Sequence, residues 1–341
     1  MDLRLRDGGI SAVREENYRE RMAMMANAVF DVHPDMNELL EAKRQVATKT
    51  ELGSLRSGWD FYDAALRRPY PADMSVHNLR LPIPGAGRGG LVQVRVYRAG
   101  KAPSTSPCVV YFHGGAFVKG SLDSGDPIAW GIAEEIGCVV VSVDYRLAPD
   151  HPFPAGLEDC YAAVKYISEH AEEFGIDPAR IGVWGDSAGG NFAAAVCLLA
   201  RDRKGPKIAA QAINYPCLTD ELTSPSYAMY AEAPVTTASM DRGWSLYLGA
   251  GRPTSSGYAA PLKAADLSHL PPAHIHYAEI DCLADDSVRY AKRLHEAGNV
   301  VVLRAAERMI HGYLRSRFSG PDAATEFRKP CIFLRNILFT R

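Results

Sequence analysis

Two apolar runs, Cys108-Val109-Val110-Tyr111-Phe112 and Cys138-Val139-Val140-Val141-Ser142-Val143, constrain this chain more than anything else in it. Neither shows the alternation of a strand with one wet face. Such β-branched runs need cover on both faces, as parallel strands between helix layers have. Further strands are expected at about 92–97, 180–184, 208–213, 273–278 and 299–304. Helices are expected at about 127–136, 154–174, 187–204 and 284–297. This strand–helix alternation predicts an α/β fold, a mostly parallel sheet flanked by helices.

Two regions depart from that rhythm. Residues 1–75 read as a separate helical segment, with Met22, Met25, Ala26, Val29 and Phe30 at helical spacing. A second helix starts near Pro34-Asp35 with Met36, Leu39 and Leu40, and runs through Glu41-Ala42-Lys43-Arg44. Residues 219–258 interrupt the alternation with Pro225, Pro234 and Pro253 and a helix carrying Trp244, Leu246, Tyr247 and Leu248. A connection that long between two strands is usually functional, often a lid. The expected organisation is therefore a separate helical segment at 1–75 and a main domain at 76–218 and 259–341, interrupted by an insertion at 219–258.

Composition narrows the function classes. Of 341 residues, 47% are hydrophobic and 23% charged, ordinary for one large globular domain. A formal net charge of −2 gives no electrostatic reason to bind nucleic acid or an anionic membrane. Seven cysteines, an odd number scattered through apolar segments, suit a reducing compartment. No C-x-x-C pair suggests zinc, so no metal is expected. The start, Met1-Asp2-Leu3-Arg4-Leu5-Arg6-Asp7, has no apolar signal core, and no apolar run approaches a membrane span. The expectation is a cytoplasmic protein without a membrane span.

The chemistry centres on Gly185-Asp186-Ser187-Ala188-Gly189. It is entered from the strand-like Arg180-Ile181-Gly182-Val183-Trp184 and left through the helix-like Gly190-Asn191-Phe192-Ala193-Ala194. A serine on such a corner is held in a strained turn with its hydroxyl exposed. A phosphate-binding loop is the competing reading, since helix N-termini attract anions. No lysine follows these glycines, which weighs against it.

A serine nucleophile needs a base and an orienting acid. Parallel sheets place such groups where strands end. Asp281 follows Ala273–Ile280, and His311 follows the 299–304 strand and a short connection. The order Ser187, Asp281, His311 is the chain order of a known triad arrangement. Asp285 and Asp286 compete as the acid but fall within the next helix, where they would serve its N-terminal dipole. His274 and His276 share a strand face and read as packed or edge residues. His113-Gly114-Gly115-Ala116-Phe117 follows the first apolar run, the right place for amides that hold a developing oxyanion.

Together these motifs resemble those of the hormone-sensitive-lipase-like family of α/β-hydrolases, which includes many bacterial carboxylesterases. His113-Gly114-Gly115-Ala116 is similar to its His-Gly-Gly-Gly motif. Tyr145-Arg146-Leu147-Ala148-Pro149-Asp150-His151-Pro152-Phe153-Pro154-Ala155 and Leu157-Glu158-Asp159 are similar to a second block, and Gly185-Asp186-Ser187-Ala188-Gly189-Gly190-Asn191 to its nucleophile elbow. Asp281-Cys282-Leu283-Ala284-Asp285 and His311-Gly312 are similar to its acid and base motifs. The resemblance covers residues from about 76 to the end.

It implies an eight-stranded sheet, a helical cap made from the 1–75 segment and the 219–258 insertion, no cofactor and hydrolysis of esters with short to medium acyl chains. It also implies a small-molecule ester as the partner and a possible homodimer through the last strand. Ser187 would be the nucleophile, His311 the base and Asp281 the acid. The oxyanion hole would lie at Gly114, Gly115, Ala116 and Ala188, with the amides of Gly115, Ala116 and Ala188 as donors by the family pattern. His113 and Asp186 would support it, Asp186 by orienting loop amides or side chains. Two departures stand out: Ala116 replaces a usual glycine, and Cys282 replaces a common proline. Acyltransferase or amidase chemistry stays open on such a scaffold. The plant gibberellin receptors resemble the family but lack the triad histidine, so His311 argues against a purely binding role.

Overall fold

The computed structural model describes residues 30–44, 59 and 64–340. The expected helix through Met22–Phe30, except Phe30 itself, and the aromatics Phe61 and Tyr62 lie outside the described residues. Eight strands form one sheet in the order β1-β2-β4-β3-β5-β6-β7-β8. They are β1 (Ser75–Pro82), β2 (Leu91–Arg98), β3 (Ser106–Phe112), β4 (Val139–Asp144), β5 (Ile176–Asp186), β6 (Ala210–Asn214), β7 (Ala273–Ile280) and β8 (Val301–Ile310). β1 pairs antiparallel with β2 and β2 with β4, and every later pairing is parallel.

The two apolar runs lie side by side at the centre, with Val110 of β3 opposite Val141 of β4 and Val183 of β5. Every residue of β3 is buried. The helices are α1 (Asn37–Arg44), α2 (Leu122–Ile136), α3 (Ala155–Glu169), α4 (Ala188–Asp202), α5 (Pro225–Met229), α6 (Thr237–Leu248), α7 (Ala284–Glu296) and α8 (Pro321–Leu338). α2 and α8 pack against one another and the sheet, α3 packs on α4, and α7 on β7 and β8. All seven cysteines are buried and unpaired. Among the described residues no helix is long and apolar enough to cross a membrane.

Two strands differ from expectation. β1 escapes the sequence pattern because seven of its eight side chains are at least partly exposed, so no alternation marks it. β8 runs to Ile310, directly against His311, where a connection after 304 is expected from sequence. Its pairing with β7 shifts between Ala278 and Ile280, near Arg308 at φ +58°. Arg308 donates its amide to the Glu279 carboxylate (2.8 Å), so the strand continues through this irregularity.

The first described residues are fastened to the sheet's far end. The His33 amide donates to the Arg308 carbonyl (2.8 Å). The Asp35 carboxylate accepts from the amides of Asp322 and Ala323, both at 3.0 Å, and so caps the start of α8. His33, Asp35 and Asp322 also lie close enough together to suggest a metal, but their polar atoms serve this tether.

Candidate active site

Four strand ends converge. β3 leads into His113, β5 into Ser187, β7 into Asp281 and β8 into His311. Ser187 sits at φ 58° and ψ −120°, a conformation L-residues rarely adopt. Its backbone is held there on both sides: its amide donates to the Asn214 carbonyl (2.9 Å) and its carbonyl accepts from the Asn191 amide (3.1 Å). The flanking glycines are dictated by close approach. A Cβ at Gly185 would lie 1.9 Å from the Gly189 oxygen, and one at Gly189 would lie 1.9 Å from the Phe112 oxygen. Any larger residue would push the turn off β3.

The structure brings the three expected side chains into one hydrogen-bonded row. His311 Nε2 lies 2.9 Å from Ser187 Oγ, and Nδ1 lies 2.7 Å from Asp281 Oδ2. A carboxylate only accepts, so Nδ1 carries the proton and Nε2 accepts from the serine hydroxyl. Asp281 Oδ1 takes the Leu283 amide at 3.0 Å, which fixes the carboxylate plane. All three residues are buried, with Ser187 and His311 retaining 6% and 7% exposure.

The loop after β3 takes an unusual path. Gly115 (φ 143°), Ala116 (φ 51°) and Phe117 (φ 67°) are consecutive positive-φ residues. Gly115 has no room for a side chain, since a Cβ there would meet the Lys119 carbonyl oxygen at 1.9 Å. Ala116 adopts the left-handed conformation despite its methyl. Gly114 behaves differently from its neighbours: its amide donates to Asp186 Oδ1 at 3.1 Å. That donor is already engaged, so Gly114 shapes the loop while the amides of Gly115, Ala116 and Ala188 have no hydrogen-bond partner among the described residues.

Asp186 is the buried hub behind the turn. Beyond Gly114, it accepts from Tyr111 Oη (2.6 Å) and, through Oδ2, from Arg315 Nη1 (3.2 Å). Arg315 also donates to the Ser124 carbonyl (3.1 Å), binding the start of α2 into the same network. A buried carboxylate survives only with such partners. His113 stacks on Tyr145 with ring centroids 4.3 Å apart, and its Nδ1 lies 2.9 Å from the Gly114 carbonyl. Burial holds its imidazole below the usual range, so it is a neutral Nδ1–H donor.

Asp285 and Asp286 sit at the start of α7 as expected, but they do more than meet its dipole. Asp285 accepts the Ser226 amide (2.9 Å), and Asp286 accepts the Leu218 amide (2.8 Å) and the Tyr227 hydroxyl (3.1 Å). They fasten the β6–β7 connection beside the acid. Cys282 joins them, its thiol donating to the Val235 carbonyl (3.3 Å) and its carbonyl accepting from Ser226 Oγ (2.7 Å). Asn191 ties down the connection's two ends, donating to Cys217 and Ala259 carbonyls, both at 2.9 Å.

The aromatics of this connection have definite places. Tyr247 stacks on Phe117 (centroids 4.0 Å apart), and Trp244 lies 5.0 Å from the same ring. Tyr230 meets Phe30 at 5.7 Å. Trp59 lies under Lys119 Nζ (4.4 Å from the ring centroid) and near the Arg315 guanidinium (5.6 Å). His274 and His276 are buried as expected, His276 against Glu326 (2.9 Å). Tyr111 and Arg315 are site residues that sequence reasoning passes over, whereas Asn191 closes the matched elbow motif and only its anchoring of the β6–β7 connection goes unread.

Known proteins share this fold. A family model for the alpha/beta hydrolase fold matches residues 109–315. Carboxylesterase NlhH of Mycobacterium tuberculosis is 38% identical over 300 residues, covering 86% of this chain and 92% of its own. An arylesterase of Saccharolobus solfataricus is 36% identical over 225 residues, 65% of this chain and 73% of its own. Among solved structures, a thermostable esterase from Pseudomonas putida ECU1011 superposes with TM-score 0.85 at 27% identity, covering 93% of this chain and 100% of the other. A bacterial heroin esterase gives 0.82 at 33% identity, covering 91% and 99%. With a family match over most of the main domain and a relative similar over nearly the whole chain, this protein belongs to the hormone-sensitive-lipase-like family of α/β-hydrolases.

Proposed function

We propose that this protein is a carboxylesterase that cleaves small esters of short to medium acyl chains through an acyl-enzyme at Ser187. The observation that carries the reading is the row Ser187 Oγ–His311 Nε2 at 2.9 Å and His311 Nδ1–Asp281 Oδ2 at 2.7 Å. His311 removes the hydroxyl proton as Ser187 attacks the ester carbonyl, and Asp281 steadies the imidazolium that forms. The carbonyl oxygen gains negative charge beside the amides of Gly115, Ala116 and Ala188. Each such donor contributes roughly 3–4 kcal/mol in a dry site. The alcohol leaves with the proton from His311. Water then enters, gives a proton to His311 as it attacks the acyl carbonyl, and His311 returns that proton to Ser187 Oγ as the ester bond to the enzyme breaks and the acid leaves.

In the same reading, the N-terminal helical segment and the 219–258 insertion form a cap that limits what reaches Ser187. The stacking of Phe117 on Tyr247 supports this, because it joins the oxyanion loop directly to the insertion. The test is turnover of 4-nitrophenyl acetate and butyrate by the protein and by Ser187→Ala. The intact protein should release 4-nitrophenol in a burst, and the variant should fall by at least 10⁴-fold. Undiminished turnover by Ser187→Ala overturns the assignment.

A further inference from the structure

One side chain on the buried face of α1 breaks the amphipathic rule. Met36, Leu39 and Lys43 follow one another at i, i+3 and i+7, which places them on one side of the helix. Met36 and Leu39 are fully buried there. Lys43 continues that inward face where the pattern calls for another apolar residue, and it is only partly exposed. The helix packs against Tyr313–Ser316, the turn immediately after His311.

The charged and titratable groups within electrostatic reach of the Lys43 amine come from three segments around the site. Asp281 and Cys282 follow β7, Lys119 closes the loop after β3, and Arg315 follows the base. The amine has no hydrogen-bond or ion-pair partner among the described residues, although Asp281 is within electrostatic reach. Asp281 is committed to His311 and Leu283. A lysine turned inward, without a carboxylate of its own among the described residues and within reach of two further cations, is a costly arrangement. Burial, with help from Lys119 and Arg315, lowers its pKa to about 7.

We propose that Lys43 is a specificity-determining residue that holds a carboxylate carried by the ester substrate. The proposal rests on the esterase reading and names the substrate class within it: acidic esters, such as half-esters of dicarboxylic acids or esters of hydroxy acids. An entering carboxylate would supply the missing counter-charge and favour the protonated amine. Preference for the anionic ester should therefore weaken as pH rises above about 7, where the unoccupied amine loses its proton.

Two matched substrate pairs test this. One is 4-nitrophenyl butyrate against 4-nitrophenyl hemisuccinate, with the charge on the acyl side. The other is 4-methylphenyl acetate against 4-acetoxybenzoate, with the charge on the alcohol side. Spontaneous hydrolysis of each is subtracted. In one pair the protein should cleave the anionic ester at least as well as its neutral partner. Lys43→Met, which keeps the apolar stem, should cut that ratio of kcat/KM at least tenfold, mainly through KM, and Lys43→Arg should restore most of it. Succinate or 4-hydroxybenzoate should compete with the neutral ester on the unsubstituted protein, a readout that needs no variant. A wild-type preference for the neutral ester in both pairs, or ratios unmoved by Lys43→Met, overturns the proposal while leaving the esterase reading standing. Failure to cleave either neutral ester sinks the esterase reading, and this proposal with it.

Discussion

Asp186 accepts the amide of Gly114 at 3.1 Å, joining the residue before the nucleophile to the loop that faces the oxyanion. One buried carboxylate thereby sets the distance between two halves of the site. Its other oxygen takes the Arg315 guanidinium, so the same side chain also reaches the segment after the base.

Asp186→Asn should lower kcat by about 10- to 100-fold with little change in KM. The amide side chain can still accept from Gly114, but Arg315 loses its buried partner charge, a change that typically costs about 3–5 kcal/mol. The melting temperature should fall with the activity. Steady-state kinetics and thermal unfolding on one preparation check both, and wild-type kcat would rule out the hub role.

Gly243 of α6 lies against the oxyanion loop, where a Cβ would sit 3.1 Å from the Ala116 oxygen and 3.2 Å from its methyl. Gly243→Val should displace Ala116 and reduce kcat about tenfold or more, since amide placement is worth several kcal/mol. Gly251→Ala, where nothing lies within 4 Å, is the control. Equal kinetics for the two variants would show that α6 does not bear on the loop.

Gly185→Ala should not yield a stable, active protein. The new methyl would sit 1.9 Å from the Gly189 carbonyl oxygen, inside the turn that presents Ser187. An active, soluble variant with an unchanged melting temperature would mean that the turn can open without cost.

Asp286 gives a pH test of stability. Burial raises its pKa to about 7, above the ordinary carboxylate value of 3.8, although the Leu218 and Tyr227 donors pull the other way. The folded state therefore holds this proton more tightly than the unfolded chain. That contribution to stability is full below about pH 4 and is lost as pH rises through 7. Oδ2 takes both donors and Oδ1 has no partner, so an asparagine can keep the first and stay neutral. Asp286→Asn should be the more stable protein at pH 8, by one to a few kcal/mol, with the advantage shrinking towards pH 5. Urea unfolding at both pH values decides, and a variant less stable at pH 8 than at pH 5 relative to wild type contradicts the assignment.

The central strands and the Ser187 turn were legible because burial on both faces and a tight corner each leave local marks. β3 and β4 must be apolar throughout, and Gly185 and Gly189 admit no side chain. His311 and Asp281 could be placed by chain order against strand ends. β1 left no mark because its side chains meet water on both sides. Tyr111 and Arg315 were invisible for another reason: their roles come from Asp186, 75 and 129 residues away, and no local pattern encodes such meetings. Asp285 and Asp286 show an intermediate case, since their helix-start position was readable but the strap they hold was not.

Ser187 and His311 stand 124 residues apart in sequence and meet only because β5, β6, β7 and β8 lie in order. β8 is the sheet's last strand and ends directly at His311. Fraying of this single edge would carry the imidazole away while the central strands stayed paired. Loss of turnover under rising denaturant should therefore precede loss of bulk secondary structure, making enzymatic activity the earliest reporter of the edge's integrity.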